Sequence, residues 1–351
     1  MPTNKKFLYI RTLRHVDHTV FCVDSGQKVY TDPETGYKQP YSSGQQVKRC
    51  IMDAMCETLG EPRAPITFNY TLATKNGKPT LDNGEPWSPC DPTFADQLVG
   101  GWMRASKGSS AVKRRSPLSI SAMRPLHPRL VSLSGECVTF DRSDHPEGHV
   151  QRVVDENGNE LGRDVVRKFL DAAERNLPMR IWMPADKVGG RTTGLFVSDI
   201  AIDLNTLYTV ALDDYEPEIT QDVRNKLMEK GWQPVANGTR LECPRERKEE
   251  LAQALASALV GWRISTNQSR TYSPQDTLAI AISDDASLFT AAIRADLDEE
   301  SEGRRAAPVL EQLEGVRLYV TLQAQGYIRE AIGASTATRE AEQDIYRRLV
   351  A

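Results

Sequence analysis

The stretch Tyr41–Gly60 reads "YSSGQQVKRCIMDAMCETLG". Ser42 or Ser43 can accept a hydrogen bond from a free helix N–H, so either suits an N-cap. Val47, Ile51, Met52, Met55 and Leu59 then recur at helical spacing, which puts them on one apolar face. Gly60 ends the pattern and Pro62 follows it. A helix is therefore predicted from the serines to Gly60. Before it, Phe7–Val23 is rich in β-branched and aromatic residues and alternates in part, as a strand does. Asp32–Pro40, with Pro33, Gly36 and Pro40, reads as the turn between them.

Downstream the pattern is mixed. Glu61–Ser110 carries Pro62, Pro65, Pro79, Pro86, Pro89 and Pro92, and reads as an insertion of short elements. Glu136–Phe140 predicts a short strand. Val150–Val154, "DENGNE" and Leu161–Val166 predict a hairpin or a strand–turn–helix about Asn157-Gly158. Asp164–Asn176 is helical by period, with Val165, Phe169, Leu170 and Ala173 on one face, and Lys187–Thr193 reads as a mobile basic loop. Leu195–Leu204, Thr277–Ser283 and Val316–Leu322 read as strands, and Asp296–Arg305 as a charged loop. Thr220–Lys230, Arg245–Val260 and Arg339–Leu349 read as helices; Leu251, Leu255 and Leu259 mark the second. Strands and helices do not alternate strictly, which favours an α+β fold over a doubly wound sheet.

The 351 residues carry a net charge of −4, so any site for a polyanion has to be local. The length suggests two domains as a starting expectation. The six cysteines form no CxxC pair and no zinc spacing, and read as reduced intracellular thiols. The N-terminal apolar run is too short and broken for a signal peptide, and no stretch is apolar enough for a membrane span. A cytoplasmic protein is expected.

Three stretches concentrate positive charge without local acids. From Val99 to Ser134 there is no Asp or Glu, yet the window holds Arg104, Lys107, Lys113, Arg114, Arg115, Arg124 and Arg129. A guanidinium fork matches phosphate oxygens, and the interleaved serines can add donors. The alternative is a solvated stretch paired with acids elsewhere in the chain. Ser42–Arg49, "SSGQQVKR", places Lys48 and Arg49 on the first turns of a helix. Cations there oppose the helix dipole, and a bound anion offsets that. Gly261–Pro274, "GWRISTNQSRTYSP", combines arginine, amide and aromatic side chains in a way that suits single-stranded nucleic acid. A metal site is not indicated. His15 and Asp17 share a strand face while His18 opposes them, and "DENGNE" has Glu160 where a calcium loop needs glycine. No P-loop, Gly-x-Ser-x-Gly or Gly-x-Gly-x-x-Gly motif is present.

Taken in order, an N-terminal strand leading to "PYSSGQQVKRCI", then "RRSPLSIS", then "TNQSRTYSPQDTLAIAIS" resembles the Cas-seven, or DevR-type, backbone subunits of type I CRISPR (Cascade) surveillance complexes of antiviral defence. The resemblance runs loosely over Phe7–Ser283. It implies an RRM-like (ferredoxin-like) palm with an inserted fingers region and a β-hairpin thumb. On that reading residues 1–60 begin the palm, 61–110 are fingers, and 111–351 complete the palm with a thumb somewhere in 141–193. The thumb is either the hairpin near Gly158 or the loop near Gly189–Gly190. It further implies that Ser43, Gly44, Gln45, Lys48 and Arg49 hold guide-RNA phosphates. Lys113, Arg114, Arg115 and Arg124 lie in the same groove, and Asn267, Gln268 and Arg270 close it.

The expectation is a non-enzymatic guide (crRNA) binder without cofactor or metal. Its partners are the guide, a target nucleic acid pairing with it, copies of itself in a helical filament, and other effector subunits. Two alternatives stay open. One is a metal-dependent target-RNA nuclease of the type III kind, with Asp17 or Asp24 as candidate acids. The other is an unrelated enzyme of a phosphate-bearing ligand.

Overall fold

The computed structural model describes residues 7–21, 27–33, 35–75, 77–83, 86–104, 111–135, 138–141, 152–177, 180–183, 190–264, 272–298 and 305–351. It divides into two compact units, residues 1–132 with 192–351, and residues 133–191. Among the described residues no helix is long and apolar enough to cross a membrane.

The first unit is built on a sheet around β1 (Phe7–Thr19). The other strands are β2 (Leu118–Ile120), β3 (Arg124–Pro125), β4 (Val131–Gly135), β5 (Gly190–Asp203), β6 (Gln275–Ser283) and β7 (Val316–Val320). Their order is β4-β5-β1-β6-β7, with β2 and β3 also paired to β5. β1 lies antiparallel to β5 from Phe7↔Asp203 to Val16↔Gly194, and antiparallel to β6 from Tyr9↔Ser283 to Val16↔Gln275. A bulge in β6 opposite Leu13 and Arg14 takes Leu278 out of register.

Both faces of this sheet are covered, so β1 is buried along most of its length instead of alternating in and out. On one face Leu8, Ile10 and Val16 join Val47, Ile51, Met55, Leu251, Leu255 and Ile345. On the other, Leu13 joins Leu195, Val197, Leu278, Ile293 and Ile328. The first face is covered by α1 (Gly44–Leu59), α5 (Arg245–Gly261) and α6 (Ala337–Val350). Among the described residues the other helices are α2 (Ala95–Gly100), α3 (Arg163–Ala172) and α4 (Gln221–Glu229), with a single helical turn at Leu288–Ala291. A central antiparallel sheet with helices packed on it is the α+β class read from the sequence.

α1 starts where the sequence places it. The Ser43 hydroxyl accepts from the Gln46 N–H at 3.3 Å, and Gly60 closes the helix at φ 67°. α1 and α5 run antiparallel. Arg247 at the start of α5 reaches Glu61, just past the end of α1, with both contacts at 2.6 Å. At the other end Arg14 of β1 donates to the carbonyls of Val260 and Trp262, at the close of α5, and lies near Cys50 on α1.

The second unit contains the strand pair Val138–Asp141 with Arg180–Met183, a turn at Asp155–Asn159, and α3. The "DENGNE" segment is a tight turn closed by a Val154↔Glu160 bridge, with Gly158 at φ 85°. The helix after it starts at Arg163, and among the described residues just before the turn only Val154 is bridged, without a strand. Two further expectations change. The stretch read as a basic loop at Lys187–Thr193 is strand from Gly190 onward; residues 187–189 lie outside the described set. Of the stretch read as a charged loop at Asp296–Arg305, both ends are strand, Ile293–Asp298 paired with Arg305–Leu310 and anchored because Ile293 belongs to the smaller core; residues 299–304 lie outside the described set.

Candidate nucleic-acid interface

The start of α1 and the Lys113–Arg124 stretch meet directly. Ser42 and Met123 exchange both backbone hydrogen bonds at 3.0 Å. Gly44 packs so closely on β2 that a Cβ there would stand 2.5 Å from the Ile120 carbonyl oxygen. Only glycine permits that approach. One turn on, Lys48 Nζ donates to the Gly100 carbonyl at 2.6 Å and to Ser116 Oγ at 2.7 Å. Gly101, at φ 75°, lies against the backbone of Arg114 and Ser116. The two stretches, some seventy residues apart in sequence, thus form one continuous surface.

The arginines on this surface differ sharply. Arg114 is 4% exposed. Its guanidinium donates to the carbonyls of Leu98, Thr206 and Thr209 and lies 3.8 Å from Glu218. Burial lowers its pKa to about 10. In this structure it is an internal tie between three segments, and the expectation that it holds a ligand phosphate is corrected on that ground. Arg115, the next residue, points the other way. It is exposed and makes no ion pair among the described residues. Strand alternation is the cause: Val112 and Arg114 face inward, Lys113 and Arg115 outward.

Other candidates fall between these limits. Gln45 and Arg49 are exposed on α1; Arg49 makes only a loose contact, 3.7 Å, with Asp53 one turn later. Lys48 is held by its two acceptors, and burial together with the nearby Arg114 charge lowers its pKa to about 8. Ser43 is occupied as the cap of α1. Lys113 pairs with Glu216 at 3.2 Å, with both side chains well exposed. Arg124 pairs with Asp199 at 3.2 Å, and Asp199 is already gripped by Arg11 at 2.6 and 2.9 Å. Two guanidiniums on one carboxylate leave this point net positive. Asn267, Gln268 and Arg270 lie outside the described residues. Their flank does not: α5 ends at Gly261, where Arg14 of β1 donates to the carbonyls of Val260 and Trp262.

Arg63 and Trp102, not singled out in the sequence, line the same cleft as Gln45, Lys48 and Arg49. Arg63 is aimed there by Asp53 at 2.8 Å and Asp96 at 3.3 Å. Nothing in the local sequence marks it, because both partners are acids of other segments. As for acid chemistry, Asp17 lies at the end of β1, where Thr193 Oγ1 donates to it at 3.3 Å, and Asp24 lies outside the described residues. Among the described residues no three His, Cys, Asp or Glu side chains are grouped to hold a metal ion. What these joined segments offer chemically is the exposed donors Gln45, Arg49 and Arg115, together with half-engaged Lys48 and Arg124.

No family model matches the chain, and no curated protein matches it. Among solved structures, the chain is similar to one described as a "CRISPR RNA-guided surveillance complex, pre-nicking", at 9% sequence identity and a TM-score of 0.46, covering 98% of this chain and 88% of that one. It is also similar to one described as a "CRISPR RNA-guided surveillance complex", at 11% identity and a TM-score of 0.42, covering 97% of this chain and 99% of that one.

Proposed function

We propose that this chain is a guide-RNA-binding backbone subunit of a CRISPR effector complex. It polymerises along the RNA through sequence-independent phosphate contacts and leaves the bases to pair with a target. The observation that carries this reading is the junction of "SSGQQVKR" with "KRRSPLSIS", two of the three stretches that bear the family resemblance. They come from distant parts of the chain and present Gln45, Arg49 and Arg115 on one surface. A protein that accepts any guide must hold phosphate and sugar, because these carry no sequence information. Guanidinium and amide donors without base-specific partners are suited to that. The third stretch, with Asn267, Gln268 and Arg270, is proposed to complete the groove. Residues 61–110 are proposed as fingers, and the unit at 133–191 as the thumb. The role is structural, and the chain is assigned no catalytic residue.

The test is binding of single-stranded RNA of arbitrary sequence by the purified protein. The reading predicts that log affinity falls linearly with log salt concentration, losing about 0.7 in slope for each phosphate contact removed, with no preference among sequences of equal length. Absence of binding at low salt overturns it.

A further inference from the structure

Beside the phosphate-binding row the first unit has a cleft of about 300 Å³. That is at the small end of the range for ligand pockets. Its floor is apolar, made by the buried Met52 and Trp102, with half-exposed Ile66 beside them. Its rim carries Gln45, Arg49 and Arg63, and Asp96, paired with Arg63, also lines it. The floor is held from behind. Trp102 Nε1 donates to the Glu218 carbonyl at 2.7 Å, and the buried Arg114 guanidinium lies 5.4 Å from the indole centroid. The rim is only partly engaged: Gln45 and Arg49 are exposed, and Arg63 reaches its two acids through Nε and Nη1, with no contact of Nη2 among the described residues.

We infer that this cleft takes one nucleobase of the bound single strand. The inference rests on the RNA-binding reading above and adds a base subsite to it. Three features select a nucleobase. The floor matches the apolar face of a planar heterocycle. Guanidinium planes at the rim stack on such rings, as a lysine ammonium does not, and also hydrogen-bond their edges. Arg49 and Gln45 also belong to the phosphate row, so a nucleotide whose phosphate sits there has its base within reach of the floor. An amide rim both donates and accepts, so it serves all four bases alike. The cleft therefore adds affinity without imposing sequence, as stacking does in other single-strand binders.

Gly100 supplies a way to close the cleft. A Cβ there would meet Met52 Sδ at 3.5 Å and Lys48 Cε at 3.7 Å, ordinary contacts, and would project a side chain between two residues of the lining. Gly100→Phe fills the space. Gly326→Phe, where a Cβ meets nothing within 4 Å, is the control for added bulk. The probes are an oligouridine RNA and a ribose-phosphate strand of equal length without bases. The wild type and Gly326→Phe are expected to bind the base-bearing strand about tenfold more tightly. Gly100→Phe is expected to bind both strands alike, and Ile66→Ala, at a half-exposed position, to lose part of the discrimination. If Gly100→Phe does not fold, Ile66→Ala decides on its own. Equal binding of the two strands by the wild type, or undiminished discrimination in the cleft variants, overturns the base subsite and leaves RNA binding standing. A wild type that binds neither strand overturns the RNA reading itself.

Discussion

Arg114 and Arg115 are neighbours in sequence and opposites in the fold. Arg114 sits with Arg14 in a class of buried arginines whose hydrogen bonds go to carbonyl oxygens. Arg14 donates to Trp262 at 2.7 Å and Val260 at 3.1 Å, lies 4.1 Å from the Trp262 ring, and has a pKa lowered to about 9 by burial. It caps the close of α5, where a cation complements the helix dipole. Arg115 and Arg49 stand in water with little to hold them. The difference teaches that an acid-free basic stretch holds two populations. One binds the protein's own backbone; the other stays exposed to solvent.

The largest effect expected from this contrast is on stability. Arg114→Met leaves the carbonyls of Leu98, Thr206 and Thr209 without their donor, at a cost of about 3–5 kcal/mol, comparable to breaking a buried ion pair. Arg115→Met, read by the same denaturant midpoint, shifts stability by under about 0.5 kcal/mol. Similar losses in both variants would erase the distinction. Next in size is Gly44→Ala. Its Cβ would press on the Ile120 carbonyl, so α1 must draw away from β2, costing about 1–3 kcal/mol in thermal unfolding. A neutral substitution would mean that the junction is looser than described.

A smaller effect concerns pH. Lys48 has a folded-state pKa of about 8 against 10.5 in the unfolded chain. Between these values the unfolded chain holds more protons, so the Lys48 contribution to stability becomes less unfavourable as pH rises from about 8 toward 10.5. Below pH 8 the burial cost of the charged amine is present in full. RNA affinity should move the opposite way, weakening as pH rises through about 8 because a cation in the phosphate row is lost. Titrating affinity against pH in the wild type and in Lys48→Met checks this; the variant should lose the step. An identical step in both would assign it to another group.

Much of the scaffold was legible because local signals agreed with the packing they serve. Ser43, the Val47–Ile51–Met55 spacing and Gly60 define α1 without tertiary help. Leu251, Leu255 and Leu259 do so for α5, and all three lie in the main core. The start of β5 was not legible, since Gly190–Thr193 carries no apolar alternation and is ordered by its partner strand. The hairpin at Ile293–Leu310 hid behind its charges and Pro308. Charge counting picked out segments that meet in the fold but could not sort Arg114 from Arg115. Two of the three carbonyl partners of Arg114 lie more than ninety residues away, and a carbonyl has no sequence signature. The alternation in Val112–Arg115 was the one local clue.

The central claim is that Arg49 and Arg115 form an outward phosphate-binding row joined across the α1–β2 junction. The most direct test is the salt dependence of single-stranded RNA binding for the wild type and for Arg49→Ala/Arg115→Ala. The account predicts a slope of log affinity against log salt that is shallower by about 1.4 in the double variant, two phosphate contacts at about 0.7 each, with an unchanged unfolding midpoint. A slope equal to that of the wild type would contradict it.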